Sequence, residues 1–230
     1  MSIILQIETA TASCSVALAK DGNIISHKQV DERNIHAKLI TLFIEELITA
    51  AGLIYNNLDA VAVSCGPRSY TGLRIGISTA KGLCFALDKP LIAIETLEAM
   101  ADGLITGNDQ YSDMLLCPMI DARRMEVYTA IFTAEGKRIK PTSADIIDAD
   151  SFSDLLQTHK ILFFGDGAEK CRSVLNGNPN ARFLPGFVNS AIYLTNKAAE
   201  KFIKKDFEDV AYFEPYYLKD FIAGKSAGIK

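Results

Sequence analysis

Histidine is scarce in this 230-residue chain, which carries only His27, His36 and His159. None belongs to an HxxxH or HExxH pair, the spacing that sets two imidazoles on one helix face around a metal. Each is read as a surface or loop residue, no metal ligand is assigned, and a metallopeptidase is the weakest of the possible functions. No serine sits in GxSxG, and no cysteine has a histidine near it, so the recognisable hydrolase signatures are missing. GxGxxG does not occur either. Cysteine is limited to Cys14, Cys65, Cys84, Cys117 and Cys171, an odd number without a CxxC pair. That excludes a zinc ribbon or a thioredoxin-type site and points to buried thiols in a reducing compartment. A basic excess is also lacking: 24 Lys and Arg stand against 28 Asp and Glu, a formal charge of −4. A protein that grips phosphate backbones usually carries clustered positive charge. The longest uncharged run, Phe183 to Asn196, has fourteen residues, short of the ~20 that span a bilayer. Glu8 interrupts the N-terminal apolar run with no basic residue before it, so no signal peptide is expected. The expected protein is soluble and cytoplasmic, with no membrane contact.

What is present is ordinary globular material, 49% hydrophobic and 23% charged. At ~150 residues per domain the length suits one large domain or two small ones, burying roughly 70% of the unfolded surface. Ile3–Ile7 reads as a buried strand ending at Glu8, and Cys14, Val16 and Leu18 alternate as in a half-buried one. Asp21-Gly22 is a hairpin turn returning through Ile24-Ile25. A helix is expected over Ile35–Ala51, a strand at Ala60–Val63, a second helix over Thr71–Leu87 and a strand at Leu91–Ile94. Thr96–Ile105 looks helical, and Gly103–Asp113 is the best linker.

The second half starts in the same way. Leu115–Ile120 ends at Asp121, a polar loop follows, and Val127–Phe132 runs to the turn Glu135-Gly136. Glu8 to Gly22 is 14 residues and Asp121 to Gly136 is 15, the two acids lying 113 apart. Recurrence at one spacing signals an internal duplication. Ile161–Phe164 with Gly165-Asp166-Gly167 likewise mirrors Ala60–Cys65 with Gly66-Pro67. The fold expected is α/β, two lobes of mixed sheet flanked by helices. The second lobe looks degraded, since no strand is evident after about Leu175. Residues 1–102 with about 206–220 would form the first lobe, 113–205 the second, and 221–230 a fraying tail.

Two places could hold chemistry. Glu8 and Asp121 terminate equivalent buried strands. In two-lobed folds built from this unit, such loops face each other across a cleft and hold nucleotide phosphates and Mg²⁺. A strand-terminal acid can equally cap its own loop by accepting backbone N–H bonds. The cleft would gather Glu8, Thr9 and Thr11 from one loop, and Asp121, Gly165 and Gly167 from the other side. The stretch Gly66-Pro67-Arg68-Ser69-Tyr70-Thr71-Gly72-Leu73-Arg74-Ile75-Gly76 is a glycine-rich turn ahead of a helix N-terminus, where free N–H groups favour anions. It is not a phosphate-binding P-loop, because Leu73 stands where Lys would follow Gly72. Gly72, Gly76 and Ala80 instead form a small-residue ridge that lets a neighbour come close. In the first helix, the rows Leu39, Phe43, Leu47 and Ile40, Ile44, Ile48 exceed the ~100° stripe that one sheet requires. Either this helix is buried on most sides, or Leu39, Phe43 and Leu47, with Tyr70, Leu73, Gly72, Gly76 and Ala80 of the second helix, form a protein interface.

Ile-Glu-Thr-Ala-Thr at 7–11, the glycine-rich stretch 66–76, Met-Ile-Asp-Ala-Arg at 119–123, Gly-Asp-Gly-Ala at 165–168 and Pro-Tyr-Tyr-Leu at 215–218 together resemble the TsaB (YeaZ) family. The likeness extends over nearly the whole chain. It implies two actin-like ATPase (ribonuclease H-like) lobes within the actin, sugar-kinase and heat-shock ATPase superfamily. It also implies a non-catalytic protein that dimerises with and activates TsaD, alongside TsaE. Their product is threonylcarbamoyladenosine beside the anticodon of tRNAs reading codons that begin with A. ATP and Mg²⁺ would serve the complex, with no cofactor required by this chain, and tRNA would be met only through the complex. Alone, the chain would be a homodimer. The family loop usually reads Gly-Pro-Gly-Ser-Phe, whereas Arg68 and Tyr70 stand here, and Glu8 replaces the superfamily's usual Asp. A stand-alone ATPase or small-molecule kinase is the alternative that the paired acids leave open.

Overall fold

In the computed structural model, residues 1–32, 35–68, 70–106 and 109–218 are described, with the side chains of Tyr70 and Asp109 excepted. The tail expected at 221–230 lies outside the described residues. Strands β1 (Ile3–Glu8), β2 (Ser13–Lys20) and β3 (Asn23–Asp31) form a meander, followed by α1 (His36–Ala50), β4 (Ala60–Ser64), α2 (Tyr70–Leu87) and β5 (Leu91–Ile94). After α3 (Thr96–Ile105), a second meander follows in β6 (Met114–Asp121), β7 (Glu126–Phe132) and β8 (Arg138–Ile146). Then come α4 (Ser153–Leu156), β9 (Lys160–Phe164), α5 (Ala168–Leu175), β10 (Ala181–Leu184), a 3₁₀ turn at Ala191–Leu194, and α6 (Thr195–Lys204).

The sheet orders are β3-β2-β1-β4-β5 and β10-β9-β6-β7-β8. Reversing the second gives the same topology strand for strand, with β6 in the place of β1 and β9 in the place of β4. In both sheets the first three strands are antiparallel and the last two run parallel to the first. Connection length dictates this, since a two-residue turn such as Asp21-Gly22 can only reverse a strand, whereas a crossover helix returns it parallel. The duplication read from the spacing of Glu8 and Asp121 is therefore physical. Two strands correct the sequence reading. β10 completes the second sheet after Leu175, and β8 matches β3, so both sheets have five strands. What is reduced in the second lobe is its helices: four and eight residues in α4 and α5, against fifteen and eighteen in α1 and α2.

Strand alternation divides the core. Leu5 and Ile7 face α1 and α2 together with Ile40, Ile44, Leu47, Leu73 and Ile77. Ile4, Ala60, Ala62 and Ile92 face the other way, onto Leu194 and Ala198 of the closing turn and helix. The end of the 113–205 segment thus packs on the first sheet. Helix α3 joins the lobes: Ala99 packs against the first sheet, and Leu97, Met100 and Ala101 against Leu116, Ile120, Phe132 and Phe164 of the second. No described helix is long and apolar enough to cross a membrane.

Candidate functional site

Glu8 ends β1 completely buried. One carboxylate oxygen accepts the backbone N–H of Ala10, closing the tight loop that follows. The other makes no hydrogen bond of full geometry, although Ser64 and Asn189 stand close beside it. Burial pushes the Glu8 carboxyl above its ordinary value, opposed by Ser64, the Ala10 N–H, Asn189 and the Arg68 charge. Thr9, also buried, donates its hydroxyl to the carbonyl of Gly72 at 2.9 Å. His36, expected on a surface or loop, is buried at the start of α1. Its Nε2 lies 3.0 Å from the carbonyl of Thr11 and 3.2 Å from that of Ser13. Both partners only accept, so Nε2 carries the hydrogen and the histidine staples the loop to the helix.

Across the cleft, Asp121 ends β6 but is exposed. Burial would raise its pKa, but the hydrogen bond from Lys170, the Arg123 N–H and the charges of Lys170 and Arg68 hold the carboxyl below its usual range. Lys170 also donates to the carbonyl of Glu126 at 2.6 Å, which fixes its ammonium on the acid. Gly165 and Gly167 are there for close packing. A Cβ on Gly165 would lie 2.3 Å from the Met119 carbonyl oxygen, and one on Gly167 would lie 2.9 Å from the Ile120 carbonyl carbon. Gly165 also has φ +101°, a conformation that favours glycine.

Between them lies Asp166, whose Oδ1 accepts the N–H of Asp121 at 3.0 Å and whose Oδ2 takes the Arg68 guanidinium at 2.7 Å. The cleft that remains is a cavity of about 140 Å³ lined by residues including Thr11, Asp31, Met100, Gly165, Asp166 and Asn189. Sites for drug-sized ligands and cofactors run to ~300–1,000 Å³. The six cleft residues predicted from sequence are thus brought to facing loops, but of these only Thr11 and Gly165 line the cavity. Among the described residues, no group of three or more His, Cys, Asp or Glu side chains could hold a metal ion.

The interface residues read from sequence need correcting. Phe43, Leu47, Leu73 and Ala80 are buried in the first lobe's own core, and Leu39 packs against it half-buried. The glycine ridge faces inward: a Cβ would meet Thr9 at 2.3 Å from Gly72 and at 2.2 Å from Gly76. A 3.6-residue period reports an apolar face but not what covers it, and here the face is covered by β1 and its loop. The side chain of Tyr70 lies outside the described residues. Exposed apolar side chains on these two helices are instead Leu42 of α1, 45% exposed, and Phe85 of α2, 85% exposed; Leu42 borders a groove with Ser26, His27 and Lys28 of β3. Sequence reasoning also missed Asp166 and Lys170 as partners in the cleft. The mirrored glycine loops after β4 and β9 were the available signal.

The family model described as TsaD, tRNA N6-adenosine threonylcarbamoyltransferase, matches residues 29–224. The tRNA threonylcarbamoyladenosine biosynthesis protein TsaB of Escherichia coli K12 is 39% identical over 136 residues, covering 59% of this chain and 57% of that protein. The protein of the same name from Haemophilus influenzae is 29% identical over 235 residues, covering 96% of this chain and 95% of its own length. The solved structure of YeaZ from Pseudomonas aeruginosa superposes with a TM-score of 0.80 at 24% identity, over 95% of this chain and all of that one, a likeness of fold. This chain belongs to the TsaD threonylcarbamoyltransferase family, among its TsaB (YeaZ) members.

Proposed function

We propose that this chain is a non-catalytic partner that binds a TsaD-type transferase and activates it. The reaction served is threonylcarbamoylation of the adenosine beside the anticodon of tRNAs reading codons that begin with A. The observation that carries this reading is the closed cleft: Arg68 bridges to Asp166, Lys170 neutralises Asp121, and the remaining space is about 140 Å³. An enzyme of this fold would need that space for a nucleotide and those acids for its cation. ATP and Mg²⁺ then belong to the assembled complex, which includes TsaE. The net charge of −4 fits a protein that meets tRNA through its partner.

The docking surface is the outer side of α1 and α2, where Phe85 is 85% exposed and Leu42, 45% exposed, leaves an apolar edge beside β3. In the absence of a partner the same face pairs with a second copy, since a two-fold patch is the commonest way to cover surplus apolar area. Sedimentation of the chain alone and mixed with a TsaD-type protein tests this. A homodimer that gives way to a mixed complex is expected, and a strict monomer that ignores the transferase at high micromolar concentration would refute it. The paired acids favour a second reading, a weak ATPase or small-molecule kinase, which steady ATP turnover by the chain alone would support.

A further inference from the structure

The loops that follow β4 and β9 occupy equivalent places in the two sheets, and they meet across the cleft. The first is fixed at its base: the N–H of Gly66 donates to Thr96 Oγ1 at 3.1 Å, Thr96 N–H donates to the Gly66 carbonyl at 2.8 Å, and Tyr216 N–H donates to the Cys65 carbonyl at 2.8 Å. The second is fixed by the N–H of Gly167 on the Met119 carbonyl at 3.0 Å. Beyond these anchors each loop presents one charged side chain to the other. Arg68, whose side chain is 16% exposed, and Asp166, 37% exposed, close at 2.7 Å, and Asp166 simultaneously receives the N–H of Asp121.

We propose that Arg68 is an interlobe latch, a fixed organic cation carried by the first lobe that holds Asp166 of the second and keeps the cleft shut. The idea goes beyond the partner role proposed above and does not depend on it. Two features support a latch over an incidental surface pair. The pair is half-shielded, so water screens it less than an exposed one. The guanidinium charge also acts on both strand-terminal acids, lowering the pKa of buried Glu8 and of Asp121. Without Arg68, Glu8 would keep its burial and lose a compensating charge, while Asp166 would face Asp121 across a shared hydrogen bond. Closure therefore depends on this one side chain, and the same charge adds the smallest of the contributions that lower both acids. Arg68 also lies two residues ahead of Tyr70, where α2 begins, so a shift of that helix would be felt at the latch.

The test is an interlobe distance. All five native cysteines are buried, so engineered cysteines at exposed Lys38 on α1 and Ser173 on α5 can take spin labels selectively. Pulsed electron resonance on the full chain should give one narrow distance for the parent. Arg68→Ala should raise the open fraction threefold to about fivefold, the weight of a partly shielded ion pair. Asp166→Asn should do the same, because it keeps an acceptor for Asp121 N–H and removes only the one facing Arg68. The double variant should open no further than either single one, since both remove one interaction. Glu8, followed by carboxyl NMR, should titrate higher in Arg68→Ala. Single variants that keep the parent's distance distribution, or effects that add in the double variant, would overturn the latch. If Arg68→Ala fails to fold, Asp166→Asn decides alone.

Discussion

Gly72 and Gly76 lie one turn apart on the side of α2 that meets the loop after β1, and their surroundings set the sign of an alanine substitution. A Cβ on Gly72 would stand 2.3 Å from the Thr9 carbonyl oxygen. One on Gly76 would stand 2.2 Å from Thr9 Oγ1 and 3.3 Å from its Cβ. Thr9 is fully buried and β-branched, so turning its χ1 only exchanges the hydroxyl for the methyl. Any shift also strains the Thr9 hydroxyl bond to the Gly72 carbonyl. Overpacking of this kind costs ~1–3 kcal/mol, against a gain of up to ~1 kcal/mol from replacing helical glycine. Gly82 is the control on the same helix, because a Cβ there meets nothing within 4 Å. At ~2–4 °C per kcal/mol for a chain of this size, Gly76→Ala should melt up to ~8 °C lower and Gly82→Ala up to ~4 °C higher. Gly72→Ala should behave like Gly76→Ala, with less helical gain in the first turn. Circular dichroism melts paired with light scattering read both stability and association. A Gly76→Ala protein as stable as Gly82→Ala, or one that keeps its Tm while losing association, would refute the inward packing.

Three further outcomes follow from the site. Burial raises the Glu8 pKa above its ordinary 4.5, so the folded protein holds that proton more tightly than the unfolded chain. The resulting stability is complete below the ordinary value and is lost as pH rises through the folded one. Glu8→Gln should therefore gain on the parent in urea unfolding from about pH 4 to pH 8, and a constant difference would contradict the burial argument. Asp121 is shifted the other way, below its ordinary 3.8, so its contribution is present above that value and lost as pH falls through the lowered one. Lys170→Met should move the acid unfolding midpoint upward, and an unchanged midpoint would show the ion pair to be idle. On the outer face, Leu42→Asp and Phe85→Asp should weaken binding to a TsaD-type protein at least tenfold. Their effect on stability should stay within ~0.5 kcal/mol, as for exposed substitutions generally. A folded double variant that binds like the parent would move the docking surface elsewhere.

Much of the fold was legible because strand-ending acids and glycine turns recur at one spacing, which places β1 against β6 and β4 against β9. β10 was not legible, since Ala181–Leu184 is four residues with one fully buried position and no alternation to separate it from a loop. β8 was hidden by Pro141 and by its mixture of charged and half-buried residues. At the site, Glu8 and Asp121 were correctly paired by position, but their environments diverge in a way that sequence does not carry. One is sealed beneath Ser64 and Asn189, and the other is held at the surface by Lys170, 49 residues away. The glycine ridge shows the same limit, since Gly72 and Gly76 report that something comes close and only the fold identifies it as Thr9. Arg68 was visible as a departure from the resembling loop, yet its partner lies 98 residues on.

The central claim, that this chain assists a transferase and performs no turnover itself, is tested most directly by reconstitution. A TsaD-type protein with TsaE, ATP, Mg²⁺, threonylcarbamoyl donor and unmodified tRNA is assayed with and without this chain, and threonylcarbamoyladenosine is counted by nucleoside mass spectrometry. The account predicts modification only when the chain is added. It predicts none from the chain alone, and no ATP hydrolysis by it approaching the ~1–10³ s⁻¹ typical of enzymes. Equal modification without the chain, or robust ATP turnover by the chain that Glu8→Ala or Asp121→Ala abolishes, would contradict it.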